Sequence, residues 1–375
     1  MDKCSKYRVV IVDVTHLFYK FAFGCNTNLT STIKIGGVPK IVNTTLPTMT
    51  IKAIHRWARG GSNPVVVCFD GEGCTRSRKA YFRTGTAGGG QQVGYKESRS
   101  FQDDTFYMGI NMTLSALKDG GVMALRLDGF EADDIVAAAV AKAKVQYPDM
   151  PIDVITGDQD LLPLVDDQVS VFLTSKKTTY AIDKQFEKRG YVQITPENYQ
   201  AYIEGLTEFK NLYLPYNTVL LKKLLRGKKA DDVPGYPKFT PTKFNKLVQE
   251  MQSDGYDLHD LFVYDAPTAT PMSKSTWKEL TPEELKTWPK DDIKYSFGDP
   301  PALTRMCEVL SQYLDEDIIN HIRFIYNGIN LNCAYRDVPD RFKRSPLAIN
   351  KPLSGYSFNQ LQSSVGLFQI NLPEV

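Results

Sequence analysis

Carboxylates in this chain recur where apolar runs end. Asp13 closes VVIVD, Asp70 closes VVVCFD, Glu131-Ala-Asp133-Asp134 follows VMALRLDGF, Asp158-Gln-Asp160 follows IDVITG, and Asp231 lies in GKKADDVPG. A single Asp at such a place is most simply a helix cap or a turn residue. A set that folding crowds together is different, because converging carboxylates with no lysine or arginine among them raise one another's pKa values, a cost that a bound cation offsets. Hard oxygen ligands select magnesium or manganese, and the scarcity of histidine, 4 in the chain, argues against zinc. At a helix start Glu131 and Asp134 share a face while Asp133 turns aside. In an extended stretch Asp158 and Asp160 share a side, after a turn that Gly157 permits. Two such pairs suit two ions about 4 Å apart, which activate a water and clamp a scissile phosphate without any nucleophilic side chain. No G-x-S-x-G, Walker lysine loop or Cys-His pair offers a different chemistry.

These positions need a frame. Val- and Ile-rich runs at Tyr7 to Val14, Pro64 to Asp70, Val122 to Leu127, Ile152 to Thr156 and Val169 to Leu173 read as buried strands. Helical patterns at Thr48 to Arg59, Asp103 to Lys118 and Ala132 to Gln146 alternate with them. That alternation predicts an α/β fold, a mainly parallel central sheet flanked by helices, with sites at the carboxyl ends of the strands. The glycine-rich GTAGGGQQVG predicts a mobile loop, and Asn217 to Arg226 with Pro241 to Met251 predict two short helices around a turn. Pro301 to Tyr326 reads as one helix.

Charge is segregated although the net value is only +2. Arg76, Arg78, Lys79, Arg83, Lys96 and Arg99 form one basic block, and Lys222, Lys223, Arg226, Lys228 and Lys229 a second. Beside acidic motifs, such blocks are candidate phosphate contacts. The six cysteines include no C-x-x-C pair, which fits a reducing compartment better than a zinc site or a disulfide framework. No apolar run approaches the roughly eighteen residues of a membrane span. The start of the chain carries no signal-peptide pattern, so the expected location is a cytoplasm.

The segments VIVDVTHLFYKF, VVVCFDGEGCTRSRKAYF, GYKESR, GFEADDIVAAAV, VITGDQDLLPLV and LLRGKKADDVPGYP, in that order, resemble the flap endonuclease and 5' to 3' exonuclease family, especially its phage members and the exonuclease domain of bacterial DNA polymerase I. The resemblance spans most of residues 7 to 240. It implies a PIN-like nuclease core over residues 1–205 with a basic helical arch at 74–101, a helix-hairpin-helix-like module at 206–253, and an extension at 254–375 of unknown role. It implies that Asp13, Asp70, Glu131, Asp133, Asp134, Asp158, Asp160 and Asp231 form the metal cluster. Tyr95, Lys96 and Arg99 match a Tyr-Lys-x-x-Arg at the arch base, with Lys96 stabilising the transition state and Arg99 gripping phosphate. Arg76, Arg78, Lys79 and Arg83 would guide a single-stranded 5' end, with Tyr81, Phe82 and Tyr95 either stacking on bases or packing the arch onto the core. The implied substrate is DNA with a 5' end or flap, or RNA in an RNA-DNA hybrid, cut by a monomer during primer or flap removal, and the implied cytoplasm is that of a bacterial or phage-infected cell.

Two departures qualify that pattern. A family Asp three residues before Asp231 is Lys228 here, so an outer-metal ligand is missing unless Asp232 assists. The family's G-I-G turn is Lys238-Phe239-Thr240, leaving duplex grip to Lys238, Lys243 and the run Lys222 to Lys229. The competing expectations are a PIN-type single-strand ribonuclease and a catalytically weak binder of branched DNA. In the tail, Gln362, Val365 and Phe368 are spaced loosely like a replication-clamp peptide, although a packed tail is the simpler reading.

Overall fold

Apolar runs rich in β-branched residues make strands when both faces are covered, and four such runs, with the less buried run MALRL at the edge, build a parallel sheet. In a computed structural model that describes residues 8–24, 30–35, 38–58, 63–99, 104–174, 191–195, 197–198, 216–256, 301–331 and 347, these are β1 (Val9–Asp13), β4 (Val65–Asp70), β5 (Met123–Leu127), β6 (Ile152–Thr156) and β7 (Val169–Leu173). The sheet order is β5-β4-β1-β6-β7-β8, all parallel except the edge strand β8 (Val192–Ile194), which runs antiparallel to β7. A separate antiparallel hairpin, β2 (Thr30–Ile35) with β3 (Val38–Asn43), precedes β4.

Helices cover both faces. On one lies α5 (Ala132–Gln146), whose Ala137, Ala138 and Ala139 are fully buried against β1, β4 and β6 and let the helix approach the sheet closely. On the other lie α1 (Val14–Gly24), α2 (Thr45–Trp57) and α4 (Asp104–Asp119), around Phe18, Ile54 and Phe106. The expected α/β architecture is therefore present. Because the chain leaves β1 toward β4 on one side while β6 lies on the other, the carboxyl end of β1 is a switch point, where sheets of this kind hold their ligands.

A third apolar cluster lies beyond the sheet edge. It joins α3 (Arg76–Phe82) to α6 (Tyr216–Arg226), α7 (Pro241–Ser253), α8 (Pro301–Leu310) and α9 (Glu316–Ile329). Between α6 and α7 the two-residue strands β9 (Gly227–Lys228) and β10 (Val233–Pro234) pair in a tight hairpin. Gly227 is obligatory there: its φ is +74°, and a Cβ would stand 2.3 Å from the Val233 carbonyl oxygen.

Two expectations are corrected. Pro301 to Tyr326 is not one helix, because a turn intervenes and Asp315, in extended backbone, starts α9 afresh. Nor is the glycine run an unpacked loop. Gly88 is buried, its N–H donates to His321 Nδ1 at 3.0 Å, and Ala87 pairs with Gln91, so backbone hydrogen bonds replace the side-chain packing that glycines lack. Residues 257–300 and the tail motif at Gln362, Val365 and Phe368 lie outside the described residues.

Candidate metal-dependent nuclease site

Three strands deliver the carboxylates to one edge. Asp13 ends β1, and its side chain is fixed from two directions: the His16 N–H donates to Oδ1 at 3.0 Å and the Thr156 hydroxyl to Oδ2 at 3.0 Å. Asp70 ends β4 and accepts the Ala132 N–H at 2.7 Å, which ties it to the start of α5. After β6, Asp158 stays extended and accepts the Asp160 N–H at 2.9 Å, capping a short 3-10 helix (Gln159–Leu164) that carries Asp160. The pair thus shares a side through a cap rather than through the extended stretch expected. Asp231 is buried in the hairpin between β9 and β10.

The carboxylates divide by whether a side-chain cation holds them, and one that is so held, Asp134, is still raised well above its ordinary value, because burial outweighs Arg78. Asp13, Asp70, Asp133 and Asp158 have their pKa values raised. Burial is the main cause, with neighbouring carboxylates adding, and Asp13 and Asp70 each reach about 7. Among the described residues no lysine or arginine makes an ion pair with Asp13, Asp70 or Asp158, and Asp133 sees only Arg78, at 3.8 Å.

The other carboxylates are held by side-chain cations. Arg78, 5% exposed, places Nη2 2.5 Å from Asp134 Oδ1 and Nε 3.2 Å from Glu131 Oε2. Glu131 also accepts from Lys96 and, at 2.7 Å, from the Tyr95 hydroxyl. Burial works against the Glu131 charge, but Lys96 and Arg78 hold its pKa below the ordinary value. Burial likewise opposes ionisation of Asp160 and Asp231, and is overcome at Asp160 by Lys223 and Lys228 and at Asp231 by Lys228, so both are lowered. Glu131, Asp133 and Asp134 bring oxygens within 4.8 Å of one another, yet Glu131 and Asp134 are already engaged by Arg78. Asp133 is the one of the three that lines the central pocket. Glu131 and Asp134 share a face as the spacing predicts, but that face meets Arg78, and Asp133, which turns aside, is the one at the pocket.

That pocket, about 80 Å³, is lined by Asp133, Asp158, Asp160 and Asp231 together with Arg78, Tyr95, Lys96, Arg99, Lys223 and Lys228. Lys96 adopts left-handed backbone with φ +51°, and its N–H donates to the Asp231 carbonyl at 2.8 Å, so a strained main chain sets the position of its ammonium. Arg99, half-exposed at 53%, reaches Asp231 Oδ1 at 2.7 Å.

Several expected roles change. Arg78 is not a surface contact for DNA but a buried counter-ion. Lys223, its side chain 11% exposed, and Lys228 belong to the acidic site rather than to a separate duplex patch. Asp232 turns outward to the Ser98 N–H and hydroxyl, both at 2.7 Å, and lends nothing to the cluster. Tyr95 and Phe82 are buried, their rings 5.7 Å apart, which is packing rather than a platform for bases. Arg76, Arg83, Lys229, Lys238 and Lys243 are exposed, and Lys79 and Lys222 partly so. Lys238 takes the left-handed φ of +62° where the family pattern has glycine, and Thr240 caps α7. Sequence reasoning missed Thr15, Thr156 and His16. Thr15 Oγ1 accepts the Asp70 N–H at 2.9 Å, and the His16 ring packs so closely on Gly157 that a Cβ there would lie 1.7 Å from Nε2. The signal available was a Thr and a His in the first turn after a strand-end Asp.

Residues 8–190 match the family model for the 5'-3' exonuclease N-terminal resolvase-like domain. Just under half of the chain is thus similar to a 5'-3' exonuclease domain. Over 227 residues it is 29% identical to DNA polymerase I of Mycobacterium tuberculosis, an alignment covering 55% of this chain and 22% of the polymerase. It is 28% identical over 157 residues to a 5'-3' exonuclease of Mycoplasma genitalium, covering 42% of this chain and 47% of that protein. The chain thus spans about a fifth of the length of the polymerase relatives it matches. A crystallised D15 protein of bacteriophage T5, obtained with metal ions, aligns over 96% of this chain and 98% of its own at 12% identity and a TM-score of 0.46, too distant to add weight. The buried acidic cluster is suited to metal binding, with hard carboxylate oxygens as the donor set.

Proposed function

We propose that this chain is a structure-selective 5' nuclease, hydrolysing phosphodiester bonds of DNA at a 5' end or flap, or of RNA in a hybrid duplex, as a monomer in the cytoplasm of a bacterial or phage-infected cell. The observation that carries the reading is that Asp133, Asp158, Asp160 and Asp231 line one small pocket together with Lys96 and Arg99.

Magnesium or manganese held by Asp13, Asp70, Asp133 and Asp158 would supply the positive charge that polarises water and phosphate. The chain's own residues do the rest. Lys96 and Arg99 present N–H donors to the negative charge that grows on a phosphate under attack. Tyr95 is a positioning residue: its hydroxyl fixes Glu131, which in turn holds the Lys96 ammonium at the pocket wall. Exposed Arg76, Arg83, Lys229, Lys238 and Lys243 surround the site with cations able to contact backbone phosphates.

The pairing of Lys223 and Lys228 with Asp160 favours one second reading, a weakly catalytic binder of branched DNA. The experiment is cleavage of 5'-labelled flap duplex, blunt duplex, hybrid duplex and single-stranded RNA with magnesium. Flap or end cutting supports the nuclease. Junction binding without product supports the binder, and cutting confined to single-stranded RNA would make the chain a ribonuclease instead.

A further inference from the structure

Beside the position bounded by Asp13, Asp70, Asp133 and Asp158, a second cation position would be built from Asp160 and Asp231, which line the same pocket. That second position already holds positive charge. Lys228 Nζ lies 2.8 Å from Asp231 Oδ2 and 3.3 Å from Asp160 Oδ2, so one ammonium bridges the two carboxylates. Lys223 Nζ reaches the same Asp160 oxygen at 2.8 Å, and Arg99 covers the other Asp231 oxygen at 2.7 Å. These are not loose surface lysines. Lys228 is pinned by its pairing with Val233 in the hairpin, three residues from Asp231, and Lys223 projects from α6, whose Leu220, Leu221, Leu224 and Leu225 are buried.

A divalent cation entering between Asp160 and Asp231 would meet two ammoniums and would have to displace both from part-buried ion pairs, at a cost in repulsion and in lost pairing. No such obstacle guards the inner carboxylates. Asp13, Asp70 and Asp158 make no ion pair with a lysine or arginine among the described residues.

We propose that the Lys228 ammonium, supported by Lys223, stands in the second-cation position, so that the chain binds one divalent cation and not two. The inference rests on the reading of this cluster as a divalent-cation nuclease site. It also assigns Lys228 a role: a fixed single charge facing the phosphate, present at any metal concentration, where a dissociable double charge would otherwise be needed.

The test is a count of bound Mn2+ on the full chain without DNA, from the free-ion electron paramagnetic resonance signal in a titration of the unmodified protein, Lys228→Asp, and Lys228→Asp with Lys223→Met. One ion per chain is expected for the unmodified protein and two for the double variant, with the single variant's second site weaker by about tenfold or more. A Lys228→Gln variant, which removes the charge but keeps a polar side chain, covers misfolding of the aspartate forms and is expected to gain a weak second site. Two ions on the unmodified protein, or one on every variant that retains the native melting transition, would overturn the proposal. No bound Mn2+ at all would overturn both this inference and the nuclease reading. One bound Mn2+, with gain of the second in the variants but no cleavage of any DNA, would support the count and defeat only the function.

Discussion

Arg78 Nη2 lies 2.5 Å from Asp134 Oδ1 in a pair screened from solvent, joining α3 to α5 at the centre of the acidic site. A second Arg78 nitrogen, Nη1, donates to the Gly328 carbonyl of α9 at 3.3 Å, so one guanidinium ties three helices together. Removing one partner of a buried pair strands the other charge. Arg78→Met is therefore expected to destabilise the fold by ~3–5 kcal/mol, read as a lower denaturant midpoint, whereas loss of a surface contact would leave the midpoint unchanged.

The same contact region is sensitive to volume. A Cβ on Gly328 would stand 2.2 Å from the Phe82 ring, which is itself buried between α3 and α9. Gly328→Ala is expected to lower stability by ~1–3 kcal/mol as α9 is pushed from α3, checked by thermal melting. An unchanged melting temperature would mean that α9 does not pack there.

Asp13 and Asp70 give a pH dependence with a definite sign. Their folded pKa values of about 7 exceed the ordinary 3.8, so between those limits the folded chain binds more protons than the unfolded one. Stability without metal is then expected to fall as pH rises from about 4 to about 7. A bound cation needs both groups ionised, so metal affinity rises across the same window. Melting curves with chelator and with magnesium at several pH values check both statements. A cation-free protein that grew more stable toward pH 7 would contradict them.

Lys96 touches no other described carboxylate at ion-pair distance than Glu131 and faces the pocket. If it meets the phosphate, Lys96→Met should lower kcat by roughly 10²- to 10³-fold with little change in KM, as loss of a transition-state donor does. Steady-state kinetics on a flap duplex decides this. An unchanged kcat would reduce Lys96 to a counter-ion of Glu131.

The sheet was legible because four of its strands are buried on both faces and read as apolar runs. Edge strand β8 was not, since Val192–Ile194 is three residues long and borrows its order from β7. The carboxylates were legible because each follows a strand. Their counter-ions were not, because Arg78 and Lys223 meet Asp134 and Asp160 across 56 and 63 positions, and nothing local distinguishes a lysine bound for a buried pair from one bound for solvent. The place of Asp133 at the pocket was not legible for the same reason: helical spacing puts Glu131 and Asp134 on one face, but a distant arginine decides what that face meets.

The most direct test of the central claim is cleavage of a 5'-labelled flap duplex with and without magnesium, by the unmodified chain and by an Asp158→Asn, Asp160→Asn double variant, with junction binding measured on both. Cutting that needs the metal and disappears in a variant that still binds DNA is the predicted result. Cutting that persists in the variant, or that proceeds equally in chelator, would contradict the placement of the active site at this carboxylate edge.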